Sequence, residues 1–491
     1  MKEEILRFDH VTCVHRERTV LKDINLHIFK GEIIGLLSIN YQGIKELLDV
    51  LSDNVPIHYG YVYFDEQLVN CYYREGSSRN KVSVIKKQSS LAEDLTVCDN
   101  IFALRRGFKK YVINSGMLKK QFRHFVDELG IDLQGDELVK DLSVFDRKLV
   151  ELIKAVIAGT RLIVIDNISD LFSKAETSRF QELLHYYVNK GCAVLYISNH
   201  HEEVFQICDR VMIMENGQIL QVLERQSFIR ENIEPFYLSK WQNLERPGDL
   251  REKNVLLEFD GVTCERIKNL SFSVYRGECV ILQDTDNIVT EEIVDILRGK
   301  KSLVGGHICL GYGEYSEKRR KNYLREGIAF IDKNPIESMV YKEQSYYENL
   351  SCLLKERKSD LLNGRKIKKS IIKEYISRTG EDIYTKNIME LSEASLYNML
   401  YYRVHLFHPQ VVILIQPLSE ADMYGRLHIL HLIKELTKKH ITIIILTVNL
   451  SDTLIVANRL ITIKKGRVSG EYKSDEFQKF EQDAITPENI W

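Results

Sequence analysis

Among its nine cysteines the chain has no Cys-x-x-Cys pair, it contains no long uncharged apolar run, and its charged groups nearly cancel. Each absence excludes something. Scattered thiols argue against a disulfide framework and read as buried cysteines of a reducing compartment. A formal net charge of -2 sets up no whole-molecule field for nucleic acid or an anionic membrane, so no nucleic-acid partner is expected. No segment approaches the roughly 20 apolar residues of a membrane helix. The run Ile441-Thr442-Ile443-Ile444-Ile445-Leu446 is too short and too β-branched, and reads as a buried parallel strand. Met1-Lys2-Glu3-Glu4-Ile5 puts charges where a signal peptide needs an apolar core. The expectation is a cytoplasmic protein, peripheral at the inner face of the membrane only through a partner.

What is present is length and an internal repeat. Phe8-Asp9-His10-Val11-Thr12-Cys13 recurs as Phe259-Asp260-Gly261-Val262-Thr263-Cys264, and Lys30-Gly31-Glu32 as Arg276-Gly277-Glu278. Asp141-Leu142-Ser143 matches Glu390-Leu391-Ser392, and Asp209-Arg210-Val211 matches Asn458-Arg459-Leu460. Asn216-Gly217-Gln218-Ile219 answers Lys465-Gly466-Arg467-Val468. All are displaced by about 250 residues, too long a period for a solenoid, so the 491 residues are a tandem duplication. The expected domains are 1–230 and 255–491, with a linker at 231–254 where Arg246-Pro247-Gly248-Asp249 supplies chain breakers.

Each half opens with alternating segments, Ile5 to Phe8 and Ile24 to Ile28, that read as antiparallel strands. A charged helical stretch is expected from Cys98 to Leu138, and another helix over Leu149 to Ile157. Apolar runs of strand length, Leu162 to Ile165 and Ala193 to Ile197, then alternate with helices, which argues for a parallel α/β core covered on both faces. Between the strand Glu32 to Leu37 and the helical run Leu47 to Leu51 lies the loop Ser38 to Glu46, the strand-loop-helix frame in which helix amides converge on an anion.

This ordered set resembles the nucleotide-binding domain of ATP-binding cassette (ABC) proteins. The whole chain, from about Leu6 to the tail Thr486 to Ile490, resembles the tandem ATP-binding subunits of ribose and galactose importers. The resemblance implies an α/β fold of two tandem domains, each a parallel RecA-like core with an antiparallel β subdomain and a helical lobe. It also implies ATP and magnesium as cofactors and a permease as partner. Fold does not carry function with it, so each site position counts separately.

The family's phosphate loop uses glycines for backbone approach, a lysine on the β/γ oxygens and a hydroxyl on magnesium. Here Asn40 and Gly43 match, Ser38 and Tyr41 replace glycines, Ile44 takes the lysine position, Lys45 the hydroxyl position and Glu46 the next. A residue one place late on a helix is rotated by about 100°, so Lys45 does not stand in for the missing cation. Glu46 at about 4 Å from a phosphate would cost on the order of 4 kcal/mol. In the second half Gln283-Asp284-Thr285-Asp286-Asn287-Ile288-Val289-Thr290-Glu291 keeps neither glycine nor lysine and reads as an acidic, solvated turn.

By the same resemblance Asp166 matches the magnesium ligand and Asn167 the carboxylate that orients water; Ile415 and Gln416 take these places in the second half. Asp166 reads either as a surviving metal ligand or as a helix cap or loop-stabilising acceptor. The γ-phosphate histidine is matched by Asn199 and Val448, with His200 one residue late and read as a surface histidine. The hinge glutamine is matched by Lys87 and Lys333, read as exposed lysines. Ser143 and Ser392 match the signature serine and are also ordinary N-cap residues, with Phe145, Asp146 and Glu393 unfavourable to phosphate.

In this family the phosphate loop of one domain and the signature of the other share one ATP. The first composite set is therefore Asn40, Gly43, Ile44, Lys45, Glu46, Asp166 and Ser392, with His15 at the adenine-stacking position. It leaves room for weak ATP and magnesium binding; the second set does not. Three functions follow: a non-hydrolysing scaffold or regulatory subunit docking on a permease or another membrane or regulatory protein, an active ATPase subunit of a carbohydrate importer, or a soluble regulator unrelated to transport.

Overall fold

The computed structural model describes residues 3–15, 17–73, 80–102, 115–229, 232, 247, 254–357 and 365–482. The chain divides into two compact units between Phe236 and Tyr237, within the stretch expected as a linker. Of that stretch only Asn232, Pro247 and Asn254 are among the described residues, and the tail Thr486 to Ile490 lies outside them.

The first unit begins with β1 (Glu4–His15) and β2 (Arg18–Phe29), whose alternating burial turns Ile5, Phe8, Ile24, Leu26 and Ile28 inward. They pair antiparallel, Leu6 opposite Ile28 and Phe8 opposite Leu26, as the alternation predicts. Next come β3 (Ile33–Ser38), α1 (Ile44–Asp53), β4 (Tyr59–Phe64), β5 (Gln67–Cys71) and β6 (Val82–Lys86). The lobe contains α2 (Val97–Phe102), α3 (Ser115–Leu129) and α4 (Val144–Ile157). The unit closes with β7 (Leu162–Asp166), α5 (Lys174–Asn189), β8 (Ala193–Ser198), α6 (His201–Ile207), β9 (Arg210–Glu215) and β10 (Gln218–Glu224).

Two sheets result, an antiparallel β2-β1-β4-β5 and a six-stranded β10-β9-β3-β8-β7-β6, in which only β10 runs antiparallel to its neighbour. Strand β3 is buried at every residue, as a strand covered on both faces must be. Phe8, Leu26, Leu36, Leu47, Val62 and Leu195 share one apolar cluster, so α1 and both sheets pack around a common core.

The helical stretch expected from Cys98 to Leu138 is not continuous. Residues 103–114 lie outside the described set, and α3 ends at Gly130, which sits at φ 60°. From there the chain returns to α2, where Glu137 O accepts from Val97 N at 3.0 Å and Gly135 O from Cys98 N at 2.9 Å. These donors open a helix and have no intrahelical acceptor, so the returning segment satisfies them.

The second unit repeats the plan with β11 (Val255–Thr263), β12 (Leu270–Tyr275), β13 (Cys279–Asp284), β14 (Gly305–Leu310) and β15 (Gly313–Glu314). They are followed by β16 (Ile328–Ile331), β17 (Val411–Ile415), β18 (Thr442–Thr447), β19 (Arg459–Lys464) and β20 (Arg467–Lys473). Its sheets are β12-β11-β14-β15 and β16-β17-β18-β13-β19-β20. The β-branched run at Ile441 is the wholly buried β18, parallel to β17 and β13. All nine cysteines are free thiols.

Candidate functional site

Open α/β sheets hold ligands outside the carboxyl ends of their strands. In the first unit four such ends stand side by side: β3 leads into residues 38–46, β8 into Asn199 and His200, β7 into Asn167, and β6 into Lys87. Asp166 lies in register with Ile197 of β8 and Lys86 of β6. The fold therefore gathers most of the first candidate set at one edge. Ser392 belongs to the second unit, and His15 is exposed at the β1–β2 hairpin.

Gly43 caps α1 at φ 85°, and a Cβ there would fall 2.6 Å from Val20 O and 2.8 Å from the Gly217 Cα. Ile44 is buried in the same cluster as Leu47 and Leu51, Lys45 is exposed, and Glu46 is half-buried. Burial, with a smaller contribution from the Glu46 charge, pushes the Cys13 thiol up to about 11. Asn40 turns back on the β9–β10 turn: its Nδ2 donates to Asn216 Oδ1 at 2.8 Å, and Asn216 N donates to its Oδ1 at 3.1 Å.

Tyr41 binds across strands. Asn199 Nδ2 donates to its hydroxyl at 2.5 Å, and Asn199 N donates to Asn167 Oδ1 at 3.2 Å. Asn199 is buried, and Asn167 takes φ 49°, a left-handed geometry that asparagine tolerates. A path of neutral hydrogen bonds thus joins the loop to the ends of β8 and β7. It runs through Tyr41, Asn199 and Asn167, the residues that the resemblance aligns with a glycine, the histidine and the water-orienting carboxylate.

Asp166 is half-buried, and among the described residues nothing donates a hydrogen bond to its carboxylate. Among the described side chains the expected cap or acceptor role of Asp166 finds no donor. Burial raises its carboxyl above the usual aspartate range, with the Lys86 and Lys87 charges pulling it partly back. No group of three or more His, Cys, Asp or Glu side chains among the described residues is placed to hold a metal. A carboxyl raised in the folded state binds more protons folded than unfolded, so its contribution to stability is lost as pH rises from the ordinary range through the raised value. Asp166→Asn is thus expected to raise the melting temperature of the first unit at neutral pH and to bring no gain in acid. Thermal scans at several pH values measure this, and a melting temperature lowered at neutral pH would give the carboxylate an unseen structural duty.

Three side chains read as exposed are corrected. Lys87 Nζ lies 3.3 Å from Asp170 Oδ2 and His200 Nε2 lies 3.2 Å from Asp170 Oδ1, with the His200 and Asp170 side chains each about one-tenth exposed. A carboxylate facing inward between two strand ends draws both groups in. Lys333 is likewise half-buried and not exposed. Behind Lys87, the buried Lys148 Nζ lies 2.8 Å from Glu151 Oε2, while Glu151 Oε1 accepts from Ser90 N at 2.6 Å, Ser89 Oγ at 3.0 Å and Ser90 Oγ at 3.1 Å. This fixes the segment after β6 to α4.

Both signature serines are committed to caps. Ser143 accepts from Asp146 N at 3.1 Å and donates to Asp146 Oδ2 at 2.6 Å; Ser392 accepts from Ser395 N at 3.2 Å, with its hydroxyl 2.9 Å from that of Ser395. Phe145 packs edge-on to Phe172 at 5.2 Å.

The second unit's loop is not a solvated turn. Asp284 is buried, and its Oδ2 accepts from Val289 N at 2.7 Å, Thr290 N at 2.9 Å and Thr290 Oγ1 at 3.1 Å. Those amides open the helix Thr290–Leu297, where a bound anion would be held. The chain supplies its own anion there. Asp286 Oδ2 accepts from Lys465 N at 2.6 Å, and Gln283 Nε2 donates to Val448 O at 3.0 Å. Ile415 ends β17 half-buried, and Gln416 takes φ 43°.

Asp170 and the Lys148–Glu151 pair were not singled out from sequence. The i, i+3 spacing of lysine and glutamate was visible, yet such spacing also describes an exposed helical pair.

Residues 21–169 match the family model described as ABC transporter. The chain is 23% identical over 481 residues to the ribose import ATP-binding protein RbsA of Caldanaerobacter subterraneus subsp. tengcongensis, covering 96% of this chain and 97% of the relative. It is 24% identical to the protein of the same name from Clostridium perfringens, covering 93% of each. Among solved structures it resembles an archaeal ribosome recycling factor, aABCE1, with a TM-score of 0.61 at 15% identity over 97% of this chain and 92% of that one, which speaks for a shared fold.

Proposed function

We propose that this chain, a tandem ATP-binding cassette protein resembling the ribose import ATP-binding subunits, has given up ATP as a fuel and serves as a non-hydrolysing scaffold or regulatory subunit. What supports this reading is that protein groups take up the loop and helix start at which the resemblance would put a triphosphate. In the first unit the Tyr41–Asn199 bond links the loop to β8, and a core-packed Ile44 takes the lysine position. In the second, the Asp284 carboxylate holds the amides at the helix start. The residues present do not fit a magnesium-bound triphosphate: the buried Ile44 takes the lysine position, and the exposed Lys45, one place late, takes that of the hydroxyl that would meet magnesium.

The partner on this reading is a permease or another membrane or regulatory protein. No helix among the described residues is long and apolar enough to cross a membrane. The face near Lys87 is the expected contact, because the Asp170 and Glu151 networks hold that segment in place without nucleotide.

Calorimetric titration of the purified full chain with ATP, with and without magnesium, tests the proposal. No saturable binding tighter than about 1 mM is expected, equivalent to a standard free energy of about -4 kcal/mol. Ile44→Lys alone is expected to restore none, because the Tyr41–Asn199 bond remains. Magnesium-dependent phosphate release that disappears in Asp166→Ala would sink the reading.

A further inference from the structure

The second unit's helical lobe contains the helix Arg365–Thr379. Its Ile371 and Tyr375 are buried, and the Tyr375 hydroxyl meets His405 Nδ1 at 2.6 Å, which anchors that side of the helix to the lobe. The other side carries Lys366, Lys369 and Lys373, with Lys368 and Glu374 flanking the buried side; all are exposed, and among the described residues none of the four lysines has a carboxylate within ion-pair distance. Lys368 lies 4.8 Å over the Tyr347 ring. Lys369 and Lys373 rim an open groove of about 420 Å³ whose remaining walls are Ile372, Ile376 and Tyr384.

This concentration of charge is not demanded by the fold. Like charges at i, i+4 destabilise a helix by a few tenths of a kcal/mol. In the first unit α3 also carries Asp127 and Glu128, its Lys119 pairs with Asp136 at 3.2 Å, and Glu128 takes Lys190 at 2.6 Å. A chain of net charge -2 has no general surplus of lysine to scatter there either. The isoleucines are half-buried between the ammonium groups, so a flat bilayer would meet the lysines first, whereas a ridge of side chains from a helix can enter. Carboxylates on that helix would pair with the rim while one apolar residue fills the floor.

We propose that this groove docks an acidic helical segment of a protein partner through a central apolar side chain. The surface belongs to the second unit and does not depend on either nucleotide position.

Panning a random 16-residue peptide library against the full chain tests it. Recovered binders are expected to set Glu or Asp around Leu, Ile or Phe, and their affinity should fall at least about tenfold in Lys369→Glu/Lys373→Glu and weaken with added salt. Exposed Lys342→Glu serves as the control and should leave binding unchanged. If the double reversal fails to fold by circular dichroism, Lys369→Gln/Lys373→Gln removes the charge alone and should still lower affinity. Binders without acidic bias, or binding indifferent to both double variants, would overturn the proposal. So would phosphatidylserine vesicles that bind through these lysines and are not displaced by the peptides.

Discussion

Glu151→Ala is expected to destabilise the first unit by about 3 to 5 kcal/mol, the range for removing one member of a buried ion pair. The loss has two parts. Lys148 is 1% exposed and would keep an ammonium with no counter-charge, while the Ser90 amide and the Ser89 and Ser90 hydroxyls would lose a common acceptor. The segment after β6 should then loosen from α4 before the sheet unfolds. Hydrogen exchange followed by mass spectrometry separates this unit from the other, with residues 87–91 losing protection first. Glu151→Gln keeps one oxygen acceptor for Ser90 and should cost less. A loss below about 1 kcal/mol for the alanine variant would mean that Lys148 finds water or another acceptor.

Asp284→Ala should cost the second unit about 2 to 4 kcal/mol, combining a lost helix cap with buried donors left unmatched. Val289 N, Thr290 N and Thr290 Oγ1 all converge on Oδ2, and the other carboxylate oxygen is buried without a hydrogen-bond partner among the described residues. The group is thus held by its role as an internal anion more than by full satisfaction of its own atoms. Urea unfolding of the variant, compared with the parent chain in chloride and in sulfate, measures both parts. Sulfate should recover more stability in the variant than in the parent, because the helix start is then free to take an external anion. Equal recovery would reduce Asp284 to an ordinary packing residue.

The architecture was legible because its signals are periodic. Period-two burial in β1 and β2, and uninterrupted apolar runs in β7, β8 and β18, dictate strands whatever the loops contain. The capping serines were legible too: Ser143-Val144-Phe145-Asp146 places its acceptor and carboxylate three residues apart, and the structure uses both. Lys87, His200 and Asp284 were misread for one reason. A charged residue in a loop reads as solvated unless its partner is known, and the partners Asp170 and the amides of helix Thr290–Leu297 are set by tertiary packing. Lys148 and Glu151 escaped notice because hydrophobic periodicity carries no term for a charge that points inward with its counter-charge.

Gly43 shows that packing alone can require a residue that a binding motif also uses. Any Cβ at that point would collide with the Val20 carbonyl and the backbone of Gly217, so the position is closed to every other residue by neighbours that have no part in phosphate chemistry. On the proposed reading the lysine position is free to hold an isoleucine, Ile44, whereas Gly43 beside it is required by two crossing backbones whatever the loop binds. Gly43 is thus set by the geometry of the crossing and by itself says nothing about a ligand.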